Sequence, residues 1–129
     1  MISATIRRDH YRTVITNQNG ISIIADEPVE LGGQAEGFDP FELLGAALAS
    51  CTAATLRMYA DRKEWDIEEI IIKVEVSRID EDLKTVINRI IEIPGNYDPV
   101  IFKRLLDIAN KCPVHKVLSQ TIEIDTTIK

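Results

Sequence analysis

The 129-residue sequence predicts an α+β fold with the element order βββ-α-ββ-α-β. Three observations predict this class. The chain opens with short segments rich in Thr, Ile and Val, continues with a long apolar segment that carries a helix-start signal, and then shows two long strand patterns before a second helical pattern. The length suffices for one domain and is too short for two, so we expect a single domain over residues 1–129.

The first three strands are predicted from composition at residues 3–8, 11–16 and 21–25. Turn-forming residues separate these segments, with Asp9 and His10 in the first gap and residues 17–20 (NQNG) in the second. A loop follows over residues 26–39, in which proline and several glycines keep the backbone irregular. The chain therefore begins with a small sheet and then a loop.

The first helix is predicted to start with Asp39 as its N-cap, Pro40 in its first turn and Glu42 three residues after the cap. Residues 41–54 are apolar on nearly every side, which predicts burial on every face. This run of about fourteen residues is shorter than the ~20 that span a bilayer, so we expect no membrane partner.

The remaining elements follow the same reasoning. Two strands are predicted at residues 68–79 and 83–93, joined by a turn at residues 80–82. A second helix is expected over residues 98–111, and Pro113 interrupts it before a short further turn of helix. A last strand is predicted over residues 121–128.

Charge and cysteine content exclude several classes of protein. The net charge is −6, from 21 acidic and 15 basic residues, which argues against binding of nucleic acid. Two cysteines are too few for a disulfide scaffold or a four-thiolate zinc site. The N-terminal residues lack the pattern of a signal peptide, so we expect a cytoplasmic protein.

Cys51 and Cys112 are the candidate reactive residues. Cys51 lies within the apolar helix, where a cysteine often serves as a small inert hydrophobe. Cys112 directly precedes Pro113, where one helix breaks and another begins, and such a position favours the thiolate. Both interpretations, inert core thiols and a working pair, stay open at this point.

Metal binding is not expected, because Pro113 lies between Cys112 and His115 and no second ligand pair follows a zinc-site spacing. His115 is instead expected to face solvent.

Two further kinds of residue are candidates for supporting the thiols. Glu42 can orient a cation, or it can simply complete the capping box with Asp39. Arg7, Arg8 and Arg12 lie near the first turn, where an arginine is usually solvated. One of them directed inward against a thiolate would indicate function.

The sequence resembles the family of osmotically inducible protein C (OsmC) and the organic hydroperoxide resistance (Ohr) proteins. The segments that carry the resemblance are Asp26-Glu27-Pro28-Val29 with Gly32-Gly33, residues 39–52 (DPFELLGAALASCT), residues 56–63 (LRMYADRK) and residues 112–118 (CPVHKVL). They extend over most of the chain, and residues 56–63 are similar to the OsmC-like branch.

The resemblance implies an intertwined homodimer, in which two bent, mainly antiparallel sheets surround paired central helices and two sites lie between subunits. It implies that Cys51 is the peroxidatic cysteine and Cys112 its resolving partner. Arg8 best matches the family's N-terminal arginine. Where the family has a glutamate directly after the helix-opening proline, this chain has Phe41, with Glu42 one position later.

The function that follows from this resemblance is a thiol peroxidase that reduces hydroperoxides, organic ones by preference, without a metal or organic cofactor. Cys51 would form a sulfenic acid, Cys112 would condense with it to a disulfide, and an external dithiol of the lipoyl or thioredoxin type would reduce that disulfide. The alternatives are a non-catalytic dimer that binds an apolar small molecule or a protein, and a redox sensor without turnover.

Overall fold

The computed structural model describes all 129 residues, apart from the side chain of Asp82. Its strands and helices, in chain order, are β1 (Ser3–Ile6), β2 (Thr13–Thr16), β3 (Ser22–Ala25), α1 (Pro40–Arg62), β4 (Ile71–Ile79), β5 (Lys84–Glu92), α2 (Pro99–Ala109) and α3 (Pro113–Leu118). The α+β class, the antiparallel sheets and the first seven predicted elements are confirmed. The chain divides into two compact units, Met1–Leu44 and Gly45–Lys129. The single domain stays a prediction.

The N-terminal unit contains a three-stranded antiparallel sheet in the order β1-β2-β3. Ser3 pairs with Thr16 across the first two strands, and Thr16 pairs with Ser22 across the next two. The strands are up to two residues shorter at their ends than predicted. Among residues 1–44, which are all described, the buried ones are Ala25, Asp26 and Gly33. This sheet consequently has almost no hydrophobic core within its own unit.

Asp26 organises the loop that follows β3. Its carboxylate, 3% exposed as a residue, accepts hydrogen bonds from the backbone N–H groups of Tyr11 (3.1 Å), Glu27 (2.8 Å), Gln34 (3.2 Å) and Glu36 (3.2 Å). Burial acts to raise the pKa of Asp26, but the four N–H donors outweigh it and hold the pKa below its usual value. The loop is therefore built around one charged carboxylate.

Helix α1 begins with the capping box that the sequence predicts. Asp39 Oδ1 accepts hydrogen bonds from the N–H groups of Phe41 (2.8 Å) and Glu42 (2.9 Å), and Glu42 Oε2 accepts one from the Asp39 N–H (2.9 Å). The two side chains thus satisfy three N–H groups that the first helical turn leaves unpaired. Glu42 performs the structural function that was one of its two predicted roles.

The C-terminal unit packs α1 and α2 on a hairpin. β4 and β5 are antiparallel from Ile71↔Glu92 to Ile79↔Lys84, and a 3₁₀ turn at Asp80–Asp82 joins them as predicted. The hydrophobic core consists of Leu56, Tyr59, Ala60, Ile67, Ile93, Leu105 and Ala109. Gly45 of α1 faces β4: a Cβ at this position would lie 3.5 Å from Val74 Cγ1, an ordinary packing distance.

The prediction that α1 is buried on every face is wrong for the single chain. Its buried residues are Gly45, Leu48, Thr52, Leu56, Tyr59 and Ala60, which lie along one side of the helix. On the other side Ala47, Ser50, Ala54 and Met58 are exposed, and Met58 is 65% exposed. The single chain supplies packing partners for only one face of this helix.

By length and composition, the 23-residue α1 also meets the criterion for a membrane-crossing helix, as long core helices of soluble proteins also do.

Helices α2 and α3 confirm the predicted break at Pro113. Asp98 caps α2 by accepting the Val100 N–H at 2.9 Å, and α3 begins at Pro113 after a short turn. The strand that the sequence predicts next is not formed.

The predicted last strand is wrong, since residues 121–129 form no regular element. Its isoleucines alternate with polar residues as in a strand, but Ile124 and Ile128 are 84% and 95% exposed. A strand is held by ladder hydrogen bonds to a neighbour, and within this chain the segment has no partner strand. Residues 121–128 therefore have the alternating pattern of a β-strand but are not part of a sheet in the single chain.

Replacing Asp39 by alanine should lower the free energy of unfolding by about 1 kcal/mol, because the first turn of α1 loses its acceptor. Asp39→Asn retains a side-chain oxygen and should lose much less. Urea unfolding followed by circular dichroism, at one fixed protein concentration, measures both variants. Equal stability of the alanine and wild-type proteins would contradict the importance of this cap.

Candidate active site

The structure brings the two cysteines together. Cys51 is half-buried near the middle of α1, and Cys112 lies between α2 and α3 and is 0% exposed. Both are free thiols, and the Cys51 side chain lies close enough to Cys112 to act on its pKa. One thiol that solvent reaches is therefore in contact with one that solvent does not reach.

The position of Cys112 follows from the residues around it. A residue before proline is held out of the helical region, and Cys112 is extended, with φ −62° and ψ 141°. In this conformation it is the N-cap of α3, and its Sγ accepts the backbone N–H of His115 at 3.3 Å. Pro113 thus fixes the thiol at the place where its sulfur meets a backbone donor.

Thr52 is the polar side chain of α1 that faces Cys112. It is 0% exposed, and its Oγ1 lies 2.7 Å from the Leu48 carbonyl oxygen and 3.7 Å from Cys112 Sγ. A hydroxyl has one proton to donate. When Cys112 is a thiol, its S–H can donate to Oγ1 while the hydroxyl donates to Leu48; when Cys112 is a thiolate, the hydroxyl can donate to sulfur.

Arg89, from β5, is the functional candidate that sequence reasoning missed. Its Nη1 donates to Thr52 Oγ1 (3.0 Å) and to the Ala109 carbonyl (3.2 Å). Its Nη2 donates to Asn110 Oδ1 (2.9 Å) and lies 3.3 Å from His115 Nδ1. One guanidinium consequently contacts the end of α2, the first turn of α3 and the residue beside Cys51.

A sequence signal for Arg89 does exist. Because side chains alternate between the two faces of a strand, Arg89 shares a face of β5 with Ile87 and Ile91. These three residues are half-buried, whereas Asn88 and Ile90 between them are exposed. An arginine in the inward-facing series of a strand is unusual and needs polar partners.

His115 does not simply face solvent, as the sequence led us to expect. It is half-buried, and its Nδ1 lies 3.3 Å from Arg89 Nη2. A guanidinium has only donors, so this contact is a hydrogen bond in the tautomer in which Nδ1 is the acceptor. The reason for the difference is the short helix α3, which turns the ring toward β5.

The pKa of the Cys112 thiol is set by opposing effects. Burial acts to raise it, but the His115 backbone N–H, the Thr52 hydroxyl, the Cys51 thiol and the positive charge of Arg89 together act to lower it. The second group of effects is the larger, and the pKa of Cys112 lies below the ordinary thiol value. The buried cysteine is accordingly the one that its surroundings hold toward the thiolate.

The predicted supporting residues Arg8 and Glu42 both belong to the N-terminal unit. Arg8 is exposed and, with His10, Arg12 and Gln34 among others, lines a cavity of about 590 Å³ in that unit. Arg12 pairs with Glu36 at 3.4 Å. Contribution of Arg8 or Glu42 to the chemistry of the thiols stays a prediction.

The chain belongs to the OsmC family: the family model described as OsmC-like protein matches residues 33–127, about three quarters of the sequence. This range contains Cys51, Thr52, Arg89, Cys112 and His115. The family resemblance of the sequence is thereby confirmed. None of the curated proteins compared with the chain matches it.

Solved structures of similar proteins have the same fold. A Psychrobacter arcticus protein with a proposed role in osmotic stress and detoxification is 28% identical, with a TM-score of 0.79, over 90% of this chain and 85% of that one. An OsmC-like protein from Mycoplasma pneumoniae is 27% identical, with a TM-score of 0.77, over 92% and 85%. The organic hydroperoxide resistance protein OhrB of Bacillus subtilis is 21% identical, with a TM-score of 0.64, over 92% and 89%.

Iodoacetamide should modify Cys51 before Cys112, because only Cys51 is accessible in the folded protein. Peptide mapping by mass spectrometry after short exposures measures the order. In concentrated urea, as a control, the two cysteines should react at similar rates. Earlier labelling of Cys112 in the folded protein would contradict the described burial.

Proposed function

We propose that the protein is a cysteine-based thiol peroxidase that reduces organic hydroperoxides, with Cys51 as the peroxidatic and Cys112 as the resolving cysteine. The observation that carries the proposal is the contact between an accessible thiol and a buried thiol of lowered pKa. Membership of the OsmC family supports it, since solved relatives of the same fold include organic hydroperoxide resistance proteins.

The first step needs a thiolate at Cys51 and a hydroperoxide. The Cys51 thiol lies beside Cys112 and acts to lower its pKa, so a thiolate at Cys112 is placed to accept the Cys51 proton. The Cys51 sulfur then attacks the terminal peroxide oxygen, an S–O bond forms, and the O–O bond breaks. The alkoxide leaves and takes the proton that Cys112 had accepted, which forms the alcohol and restores the Cys112 thiolate, while Cys51 becomes a sulfenic acid.

The second step joins the two sulfur atoms. The Cys112 thiolate attacks the Cys51 sulfur, and the sulfenic hydroxyl leaves and is protonated to water. An external dithiol reduces the resulting disulfide and is itself oxidised to a disulfide. The side chains that set up both sulfur atoms are on α1, β5 and α3, and all lie in residues 45–129.

Arg8 belongs to this proposal as the group that stabilises the thiolate and the departing alkoxide, in the manner of the family's N-terminal arginine. The proposal also includes Glu42 as the carboxylate near this arginine. In the structure, Glu42 accepts a hydrogen bond from the backbone N–H of Asp39 at the start of α1. We also propose a cytoplasmic location, where a thiol pair stays available for redox chemistry.

We also propose that two copies form an intertwined homodimer. Three features support this. The sheet of the N-terminal unit has almost no core, one side of α1 is exposed at Ala47, Ala54 and Met58, and residues 121–128 have a strand pattern without a partner. A second copy provides apolar surface and sheet edges of matching composition.

Cumene hydroperoxide should convert the reduced protein to a species two hydrogens lighter, which peptide mapping assigns to a Cys51–Cys112 disulfide. Intact mass under denaturing, reductant-free conditions measures the change. Cys51→Ser should abolish peroxide consumption. Cys112→Ser should consume one equivalent and stop at oxidised Cys51. With a dithiol donor, the wild type should turn over many times.

Two unmodified thiols under excess hydroperoxide would contradict the peroxidase and favour a binding protein. Disulfide formation without turnover by dithiothreitol, dihydrolipoamide or reduced thioredoxin would favour a redox sensor. Cys51→Ser is matched by Ser50→Ala, which changes the neighbouring exposed residue and should leave consumption intact.

Light scattering on a sizing column should give a mass near twice 14.5 kDa. Met58→Glu, which introduces a charge on the exposed side of α1, should shift the protein toward a monomer because a buried unpaired charge is costly. Glu81→Lys, a charge change in the turn between β4 and β5, is the control. A monomeric wild type at micromolar concentration would contradict the homodimer.

A further inference from the structure

The peroxide steps proposed above do not assign a role to Arg89, although it is a charged side chain that acts on Cys112. Its guanidinium is half-buried and donates to Thr52, to the Ala109 carbonyl and to Asn110. These partners hold it in one orientation. A fixed cation next to a buried thiol influences every step in which that sulfur gains or loses negative charge.

The groups that face Cys112 come from three elements. Thr52 and Cys51 lie on α1, Arg89 on β5, and the His115 backbone N–H on α3. Thr52 Oγ1 lies 3.0 Å from Arg89 Nη1 and 3.7 Å from Cys112 Sγ, so the threonine connects the cation to the sulfur. Arg89 occupies one lone pair of Oγ1, which leaves Oγ1 less able to accept from a Cys112 S–H, and when Cys112 is a thiolate the hydroxyl proton can turn from the Leu48 carbonyl to sulfur.

We propose that Arg89 is a positioning residue that acts through Thr52 to stabilise Cys112 as a thiolate, and thereby makes Cys112 the leaving group when the Cys51–Cys112 disulfide is reduced. The inference rests on the proposed function only in taking this disulfide as an intermediate of the cycle. Thr52, whose Oγ1 lies 3.7 Å from the Cys112 sulfur, is the second residue through which this stabilisation acts.

The reductive step has a defined direction. One thiolate of the external dithiol attacks Cys51 Sγ, the half-buried sulfur, and forms a mixed disulfide as the Cys51–Cys112 bond breaks. The electron pair of that bond goes to Cys112 Sγ, which receives the Thr52 hydroxyl and the His115 N–H as donors. The second thiol of the dithiol loses its proton and attacks the mixed disulfide. This step releases Cys51 and oxidises the reductant.

A stabilised leaving thiolate has two measurable consequences. A thiol of lower pKa leaves faster, so the disulfide should open faster than a disulfide without the Arg89–Thr52 pair. Stabilisation of the reduced form also makes the disulfide more oxidising. Loss of Arg89 should therefore slow reduction and shift the thiol–disulfide equilibrium toward the disulfide.

The test uses the full chain with its disulfide formed in advance by diamide, so that no peroxide chemistry is required. Arg89→Met removes the charge and retains much of the apolar volume, whereas Arg89→Lys retains the charge. Arg57→Met is the matched control, because Arg57 is another arginine of this unit that donates to backbone carbonyls, those of Ile67 and Glu68. Stopped-flow reduction by dithiothreitol gives the rate, and equilibration in defined dithiothreitol redox buffers gives the potential.

The disulfide of Arg89→Met should be reduced several-fold more slowly than that of the wild type. At each ratio of oxidised to reduced dithiothreitol, a larger fraction of the variant should remain in the disulfide form. Arg89→Lys should recover part of both effects, and Arg57→Met should behave as wild type. Thr52→Val, which is nearly isosteric, should change rate and equilibrium in the same direction as Arg89→Met. Thr55→Val is its control from the same helix.

A second measurement excludes a purely structural effect and needs no disulfide. In the Cys51→Ser background, thiolate absorbance at ultraviolet wavelengths gives the titration of Cys112. Arg89→Met and Thr52→Val should each raise the pKa of Cys112, while Arg57→Met and Thr55→Val should not. Circular dichroism confirms that each variant is folded.

Unchanged reduction rates and an unchanged Cys112 titration in folded Arg89→Met and Thr52→Val would overturn the inference. Failure of the peroxidase is a different result: the disulfide then forms with diamide but not with hydroperoxide, and the Arg89 effects on reduction and titration persist. A working peroxidase with a Cys112 titration independent of Arg89 would reject the inference alone.

Discussion

The half-buried guanidinium of Arg89 needs hydrogen-bond acceptors, and two of them lie at the C-terminal end of α2. The carbonyls of the last helical turn have no partner within their own helix, and the Ala109 carbonyl at the end of α2 is one of them. Arg89 donates to it and to the adjacent Asn110 side chain. The end of α2, and with it the start of the segment that carries Cys112, is thus tied to β5.

The same side chain connects structural order to reactivity. Its contact with Thr52 reaches α1 one residue after Cys51, and its contact with His115 reaches α3 three residues after Cys112. The interactions that determine where the two thiols lie also determine the charge that surrounds them. A change at Arg89 is therefore expected to affect packing and sulfur chemistry together, which is why conservative variants and matched controls are needed to separate the two.

Local chemistry made much of the fold predictable. Asp39, Pro40 and Glu42 define the start of α1, and Pro113 defines the break between α2 and α3, because both signals depend on neighbouring residues only. Cys51 and Cys112 were identified as a candidate pair, and the structure places them in contact. Arg89 was missed because its importance comes from tertiary contacts with residues 20 or more positions away.

Two predictions failed because the sequence pattern of each segment suits packing partners that the single chain does not provide. The apolar circumference of α1 predicts neighbours on every side, and the isoleucines of residues 121–128 predict a strand, yet each element is partly unpartnered here. Glu42 illustrates the converse case. The hydrogen bond it makes goes to the helix cap, as one of its two predicted roles requires, and its contribution to the chemistry of the thiols stays a prediction.

The C-terminal segment also places a condition on what can pair with it. Its isoleucines alternate with Glu123 and Asp125, so the two carboxylates fall on one face of an extended chain. An antiparallel alignment with an identical segment that is centred on Ile124 places Glu123 opposite Asp125, which is unfavourable. Stacking of like segments into an open-ended assembly is accordingly discouraged, and a neutral or basic sheet edge is the more compatible neighbour.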